Sequence, residues 1–554
     1  MRYLVAVLAS LGLAVAADEE VAIPGVEAVI SKQVAALPEP GPVLLPKGLT
    51  MAISASDPKA QKHVLDGLSN LHAGWDFEAY RHFCAALKID PDCLMAHWGV
   101  VVALIDPEPD LVDERTAALN RMVALVEKEA ATELERSYAF GIATFFQKGA
   151  AAAAGVFQQV SEKFPNDPQA KLLAAAFGRT GYDDEGKPNP EQERAERLLN
   201  EMLAKDPDHP LYLYAYLTIR AEAPDLRGDL DRARHLCQIA PGYAPALHML
   251  GHYEVRNGNI PQAIEAFSQA GEAYRKWMTA TGVTHADCPG WVKAECYRAA
   301  ALATKGDYEN ALAVAKSVAA IDLPADRARS EGGQLLLWEG RTLETRLLMR
   351  RGNKADIAAA LAALPKPDKH KVYGKTTHSV WFYQGLAFIL EARRALQAGN
   401  AEEATKIASA VTLHGEKMAE NRDAVAAAGE RSSWIRAFNA LEVYAGEMRG
   451  LMAMNGPKDG IGSAFNWYRA ALDRQSPPTM LMPPTVLLPM QCRLAEYYIA
   501  KEKPDDAVDI LINAQSRFMN DIEILTRLET ALKKAGHTKQ ADEVKLEIEK
   551  LKSE

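Results

Sequence analysis

The sequence predicts an all-α solenoid of antiparallel helix pairs, and three observations predict it. One spacing ruler repeats: Gly67, Ala79, Phe83, Ala86 and Pro91 recur in kind at Gly141, Ala153, Phe157, Val160 and Pro165, and again at Gly251, Ala263, Phe267 and Ala270. A shorter signature, Gly followed five residues later by Ala, occurs at 74/79, 228/233, 258/263, 306/311, 399/404 and 536/541. The composition also fits. At 554 residues the chain exceeds one compact core. It is 48% apolar and 25% charged, too apolar for disorder, with 7% aromatic residues.

The ruler has a physical reading. The Gly of the short signature ends a first helix in a left-handed conformation that glycine adopts without strain. The Ala sits early in the second helix, where two helices cross closely and a larger side chain has no room. The Phe one turn later fills the space between neighbouring pairs, and the Pro closes the second helix and opens the next unit. Small residues at the crossings also explain the low aromatic fraction.

The elements follow in chain order. Residues 1–17 (MRYLVAVLASLGLAVAA) carry Arg2, then an apolar stretch, then small residues that fit a cleavage site before Asp18-Glu19-Glu20. This predicts a removed secretory signal, too short to span a membrane, and hence an exported protein, periplasmic or secreted. Residues 18–58 hold Pro24, Pro38, Pro40, Pro42, Pro46 and Pro58 and predict an extended arm. Helix pairs are expected over 59–220, then over 221–475. In the latter region the steps from Gly258 to Gly306, Gly352 and Gly399 are 48, 46 and 47 residues, longer than the roughly 34 of a regular unit. Residues 476–490 (SPPTMLMPPTVLLPM) form a second Pro-rich stretch, apolar enough that it should pack on something. Residues 491–554 read as final helices and a polar cap.

The segment LDGLSNLHAGWDFEAYRHFCAALKIDP (65–91) resembles the tetratricopeptide (TPR) family. The resemblance covers most of 60–550 and implies a tetratricopeptide-like α-solenoid whose inward helices bind extended peptides. Two strings, Asp90-Pro91-Asp92-Cys93-Leu94-Met95-Ala96-His97-Trp98-Gly99 and His248-Met249-Leu250-Gly251-His252, are similar to signatures of large exported bacterial members of uncharacterised function. Where that group has Pro-Ser before the second His, this chain has Leu250-Gly251.

No Walker-type loop, G-x-S-x-G or H-E-x-x-H occurs, so the expectation is a non-catalytic protein without cofactor or metal. The strongest constellation is His248, His252 and Arg256, spaced by four and so stacked on one helix face. By the family's register this face turns inward, with Lys293 and Cys296 on the same face of the next unit and Tyr138 and Phe146 inward in an earlier one. Three readings stand side by side for the two histidines: structural hydrogen bonds inside the array, an anchor for a carboxylate ligand with Arg256 as the bidentate contact, or a metal chelate helped by His285, Asp287 and Cys288. The six cysteines admit disulfides in an exported protein, and free buried thiols are the alternative for Cys84, Cys93, Cys288 and Cys296. Trp98, Phe145, Trp381 and Phe382 read as core wedges. Lys366, Lys369, His370, Lys371 and Lys375 read as a solvated basic run.

The function expected is a scaffold that binds a protein or peptide ligand in its concave groove. The net charge of −10 argues against a nucleic-acid partner, and no transmembrane segment is expected after signal removal. Two rivals are a metal-binding or hydrolytic envelope protein using the His248/His252 region, and a structural component of a cell-envelope complex held by the 18–58 arm.

Overall fold

Helix ends and helix crossings build this molecule as the ruler requires. In the computed structural model, residues 24–105, 111–126, 131–183, 185–366, 377–425, 431–456 and 460–553 are described. Among them are twenty-four α-helices of ten residues or more, and one isolated bridge, Tyr182 to Pro188, is the sole β pairing. Five of the six signature glycines, Gly74, Gly258, Gly306, Gly399 and Gly536, have positive φ between hairpin helices, as does Gly352. Gly228 differs, because it lies in a 3-10 turn, Arg227–Asp229, that leads into the next helix. The alanines five residues on (Ala79, Ala233, Ala263, Ala311, Ala404 and Ala541) are all buried at the crossings. Proline opens the helices Pro58–His72, Pro168–Phe177, Pro190–Lys205, Pro210–Arg220, Pro289–Lys305 and Pro504–Ala514, where its missing N–H costs no hydrogen bond.

The ruler's first glycine has a role that the spacing did not disclose. Gly67, Gly141 and Gly251 lie inside first helices, and a Cβ on each would sit 2.6, 2.5 and 2.6 Å from the ring of Phe83, Phe157 and Phe267 respectively. The glycine is the socket for the phenylalanine sixteen residues on. Gly99, from the following pair, faces the same Phe83 ring at 2.4 Å, so one ring locks two successive pairs together. Phe157 and Phe267 extend the wedge by stacking on Phe177 and Tyr297.

The chain divides into two compact units, one of Met1–Leu250 with Arg275–Thr284, the other of Gly251–Tyr274 with His285–Glu554. In the first, pairs such as Pro58–His72 with Asp76–Ile89 and Glu133–Lys148 with Ala150–Lys163 stack in sequence. The helix Leu230–Ile239 is short. The long repeat steps contain the long helices Ile260–Thr281 and His378–Gln397 and a π-helical stretch, Leu336–Gly340, and the longer helices Ala401–Val425 and Arg431–Met454 follow in the second unit. Each unit is a tetratricopeptide-like array of antiparallel helix pairs. Among the described residues no helix is long and apolar enough to cross a membrane.

Candidate functional site

The residues singled out by register lie within the packing of the helices. The helix Ala244–Arg256 carries His248, His252 and Arg256, and the division between units falls within it. His248, in the first unit, is buried. His252, in the second, has no exposed surface and meets the rings of Tyr253 and Tyr297 edge-on. Arg256 is half-buried. Lys293 is half-buried with its Nζ 2.5 Å from Glu331. Tyr138 is fully buried, donates its hydroxyl to Asp167 and sits edge-on to Trp98 at 5.4 Å. Phe146 is half-buried against Phe145, with the Arg115 guanidinium 5.3 Å from its centroid. Asp287 pairs with Arg327, and Cys288 begins the helix Pro289–Lys305. Of the basic run, Lys369, His370, Lys371 and Lys375 lie outside the described residues, as does the whole of 1–17.

The two Pro-rich stretches provide the most developed binding geometry. Residues 24–57 run along the first unit. The Tyr80 hydroxyl donates to Val29 O and accepts from Ser31 N (2.9 and 2.8 Å), Arg81 donates to Pro38 O at 3.0 Å, and Ser69 Oγ receives Leu49 N at 2.9 Å. Further along, the Glu135 carboxylate accepts from the backbone and hydroxyl of Ser54, and Asp90 from Ser56 N. Beside the arm an open cleft is lined by Thr50, Met51, Ala52, Leu134, Phe164 and Asn166.

In the second unit, residues 476–490 pass through the interior, with Met480, Met482, Thr485, Val486, Leu487 and Leu488 buried. Five of these fifteen residues are proline, so the stretch is rich in acceptors and poor in donors, and its buried carbonyls need partners. Gln475, immediately before the segment, and side chains from other helices supply them. Arg346 Nη1 and the Tyr444 hydroxyl both donate to Thr485 O at 3.2 Å. Gln475 Nε2 donates to Val486 O and Leu488 O at 2.9 and 2.8 Å. Arg350 donates to Leu487 O, and the Tyr297 hydroxyl to Thr479 O. Tyr297, Arg346 with Arg350, and Tyr444 stand on Pro289–Lys305, Arg341–Arg351 and Arg431–Met454, each the first helix of its pair. The segment therefore lies along first helices of this unit's pairs.

The charges that hold it are themselves held. Arg346 and Glu339 are completely buried and 2.8 Å apart. Glu339 also meets Arg436 and accepts from the Thr485 hydroxyl. Arg350 pairs with Asp521 at 2.7 Å. Burial alone would lower the Arg350 guanidinium, and the Asp521 carboxylate reverses that and raises it. Near the same ends Tyr308 donates to Glu523, and Asn520 donates to Gly258 O, so the last pairs of this unit return to its first. Cavities of about 30 and 40 Å³ flank the segment, room for a few waters at most. The interior is already filled.

Burial pushes the thiols of Cys84, Cys93, Cys288, Cys296 and Cys492 up to about 12, so they stay protonated and weakly nucleophilic at neutral pH. Among the described residues no three His, Cys, Asp or Glu side chains converge as metal ligands. Reading by register missed Arg346, Arg350, Tyr444 and Gln475. A signal was present in the four-residue step from Arg346 to Arg350, which brackets the apolar Leu347-Leu348-Met349 and stacks the two guanidiniums on one helix face.

No family model matches the chain, and no curated protein matches it. Similar solved structures include the human IFIT1 dimer with PPP-AAAA, 13% identical, covering 83% of this chain and 91% of that one at a TM-score of 0.34. The P58(IPK) TPR domain is 15% identical over 86% of this chain and 99% of its own, at 0.19. The APC/C hetero-tetramer Cut9-Hcn1 is 13% identical over 76% and 94%, at 0.25. The tetratricopeptide-like fold rests on the glycine–phenylalanine sockets of the pairs themselves.

Proposed function

We propose that this chain is an exported, non-catalytic scaffold that binds a protein or peptide as an extended chain along the concave groove formed by its first helices. The observation that supports it most is the treatment of residues 476–490. Donors from three helix pairs, with Gln475, converge on the carbonyls of a non-helical segment, an arrangement suited to holding a peptide by its main chain. Affinity spread over several pairs follows from the same layout. Arg256, Lys293 and Phe146 keep exposed surface and are the sequence-derived candidates for ligand contact, while His248, His252 and Tyr138 would act by shaping the helices that carry them. A protein rather than a nucleic-acid partner is favoured by the net charge of −10.

Cross-linking the protein in its own cells and identifying what it holds tests this reading. The expected result is a defined protein partner whose recovery falls when exposed groove residues are changed. Recovery of RNA, or a partner-free monomer that turns over an envelope compound, overturns it. The envelope-component alternative predicts instead a large membrane-associated assembly that survives groove changes. The arm it would rely on spends many of its polar groups on the first unit itself, from Arg121 donating to Pro24 O through Ser56 N on Asp90.

A further inference from the structure

We propose that residues 476–490 are a ligand in cis, so that the inner face of the second unit is a receptor for a Pro-rich, apolar, non-helical peptide and is kept occupied by the chain's own copy. This rests on the reading that the first helices hold extended chains, and it names the peptide class they accept in this unit.

Three observations carry it. The contacts are directed at main-chain carbonyls, those of Thr479, Thr485, Val486, Leu487 and Leu488, which any peptide of the same backbone course would present. They come from residues 137 to 182 positions away for Arg350, Arg346 and Tyr297, so the receptor face is built largely by parts of the chain other than the segment's neighbours. The helix pairs around it also pack on one another directly, as Tyr308–Ala319 does on Arg341–Arg351 and His378–Gln397 on Arg431–Met454. Paired prolines at 477–478 and 483–484 flank a turn that Thr479 closes on Met482, and their fixed φ lowers the entropy lost on docking. Side-chain selectivity is legible too. Val486 and Leu488 are buried, whereas Leu481 is 52% exposed. The receptor therefore demands apolar residues at the first two positions and tolerates change at the third.

The test uses the full chain with residues 477–488 replaced by a Gly/Ser linker of equal length, and a fluorescent synthetic peptide of the sequence 476–490. Anisotropy is expected to show saturable one-to-one binding to the replaced chain and at least tenfold weaker binding to the unaltered one. A peptide with Leu481→Arg should bind the replaced chain as well as the parent peptide, and one with Leu488→Arg at least tenfold less well. If the replaced chain does not fold alone, co-refolding with the peptide should restore native circular dichroism, and the Leu488→Arg peptide should not. Absence of binding to a folded replaced chain overturns the proposal, as does equal binding to the unaltered chain or failure of the peptide to rescue an unfolded one. These outcomes do not depend on whether a cellular partner is captured, so the scaffold reading and this one can fail separately.

Discussion

Exchanging one hydrogen for a methyl group at Gly67 should destabilise the native chain and stabilise a weakened one. In the native packing a Cβ at Gly67 lies 2.6 Å from Phe83 Cε1 and 2.9 Å from two further ring carbons, where carbon atoms prefer about 3.5–4.0 Å. The ring would have to retreat by about 1 Å. It cannot do so freely, because it is fully buried and Gly99 confines it from the following pair, with a Cβ position 2.4 Å away. Overpacking of this kind costs about 1–3 kcal/mol, and two-sided confinement places Gly67→Ala toward the upper end. Phe83→Ala removes the ring and should cost about 3–5 kcal/mol. In that background the methyl group meets empty space, and alanine gains about 1 kcal/mol over glycine inside a helix. The double variant should therefore be more stable than Phe83→Ala alone, with a coupling of about 2–4 kcal/mol as the sum of these two effects. Urea titrations of the four chains, followed by circular dichroism, give the cycle. Destabilisation of the same size by Gly67→Ala in both backgrounds would refute the socket.

Other expectations concern charge, backbone and thiols. His378 is buried between Trp338 and Trp434, and burial followed by the nearby Arg436 charge lowers it to about 3. The unfolded chain therefore binds the proton first as pH falls below about 6.5, and stability is lost from there down toward the folded value, by about 2 kcal/mol at pH 5. His378→Phe should flatten the loss of stability between pH 7.5 and 5 by that amount, and an unchanged slope would contradict the burial. Arg346→Met strands the buried Glu339 with a weaker partner set and removes a donor from Thr485 O, so a loss of about 3–5 kcal/mol is expected in denaturant titration. Gly306 has φ 95°, and a Cβ there would approach Ile522 no closer than 3.4 Å. Gly306→Ala should then cost only the conformational strain, about 1–2 kcal/mol, with no change in the binding of the 476–490 peptide to the segment-replaced chain. Cys84, Cys93, Cys288, Cys296 and Cys492 should resist a thiol reagent at pH 8 until denaturant is added, and mass spectrometry of labelled peptides checks this.

The sequence by itself determined the pair. Gly, Ala and Phe at fixed offsets specify where a hairpin turns, where two helices touch and which ring fills the gap, because all three contacts close within about one repeat of chain. The longer steps after Gly258 announced the longer helices for the same reason. The tertiary structure decided what the inner face holds. The inward register placed Tyr138 and His252 toward a groove, yet both are enclosed by neighbouring helices, and the segment 476–490 meets Arg350, Arg346 and Tyr297 across 137 to 182 residues. Such meetings depend on the curvature of the array, which accumulates from small rotations at every pair. Helices of unequal length and a π-helical stretch at Leu336–Gly340 alter those rotations, and no single repeat encodes their sum.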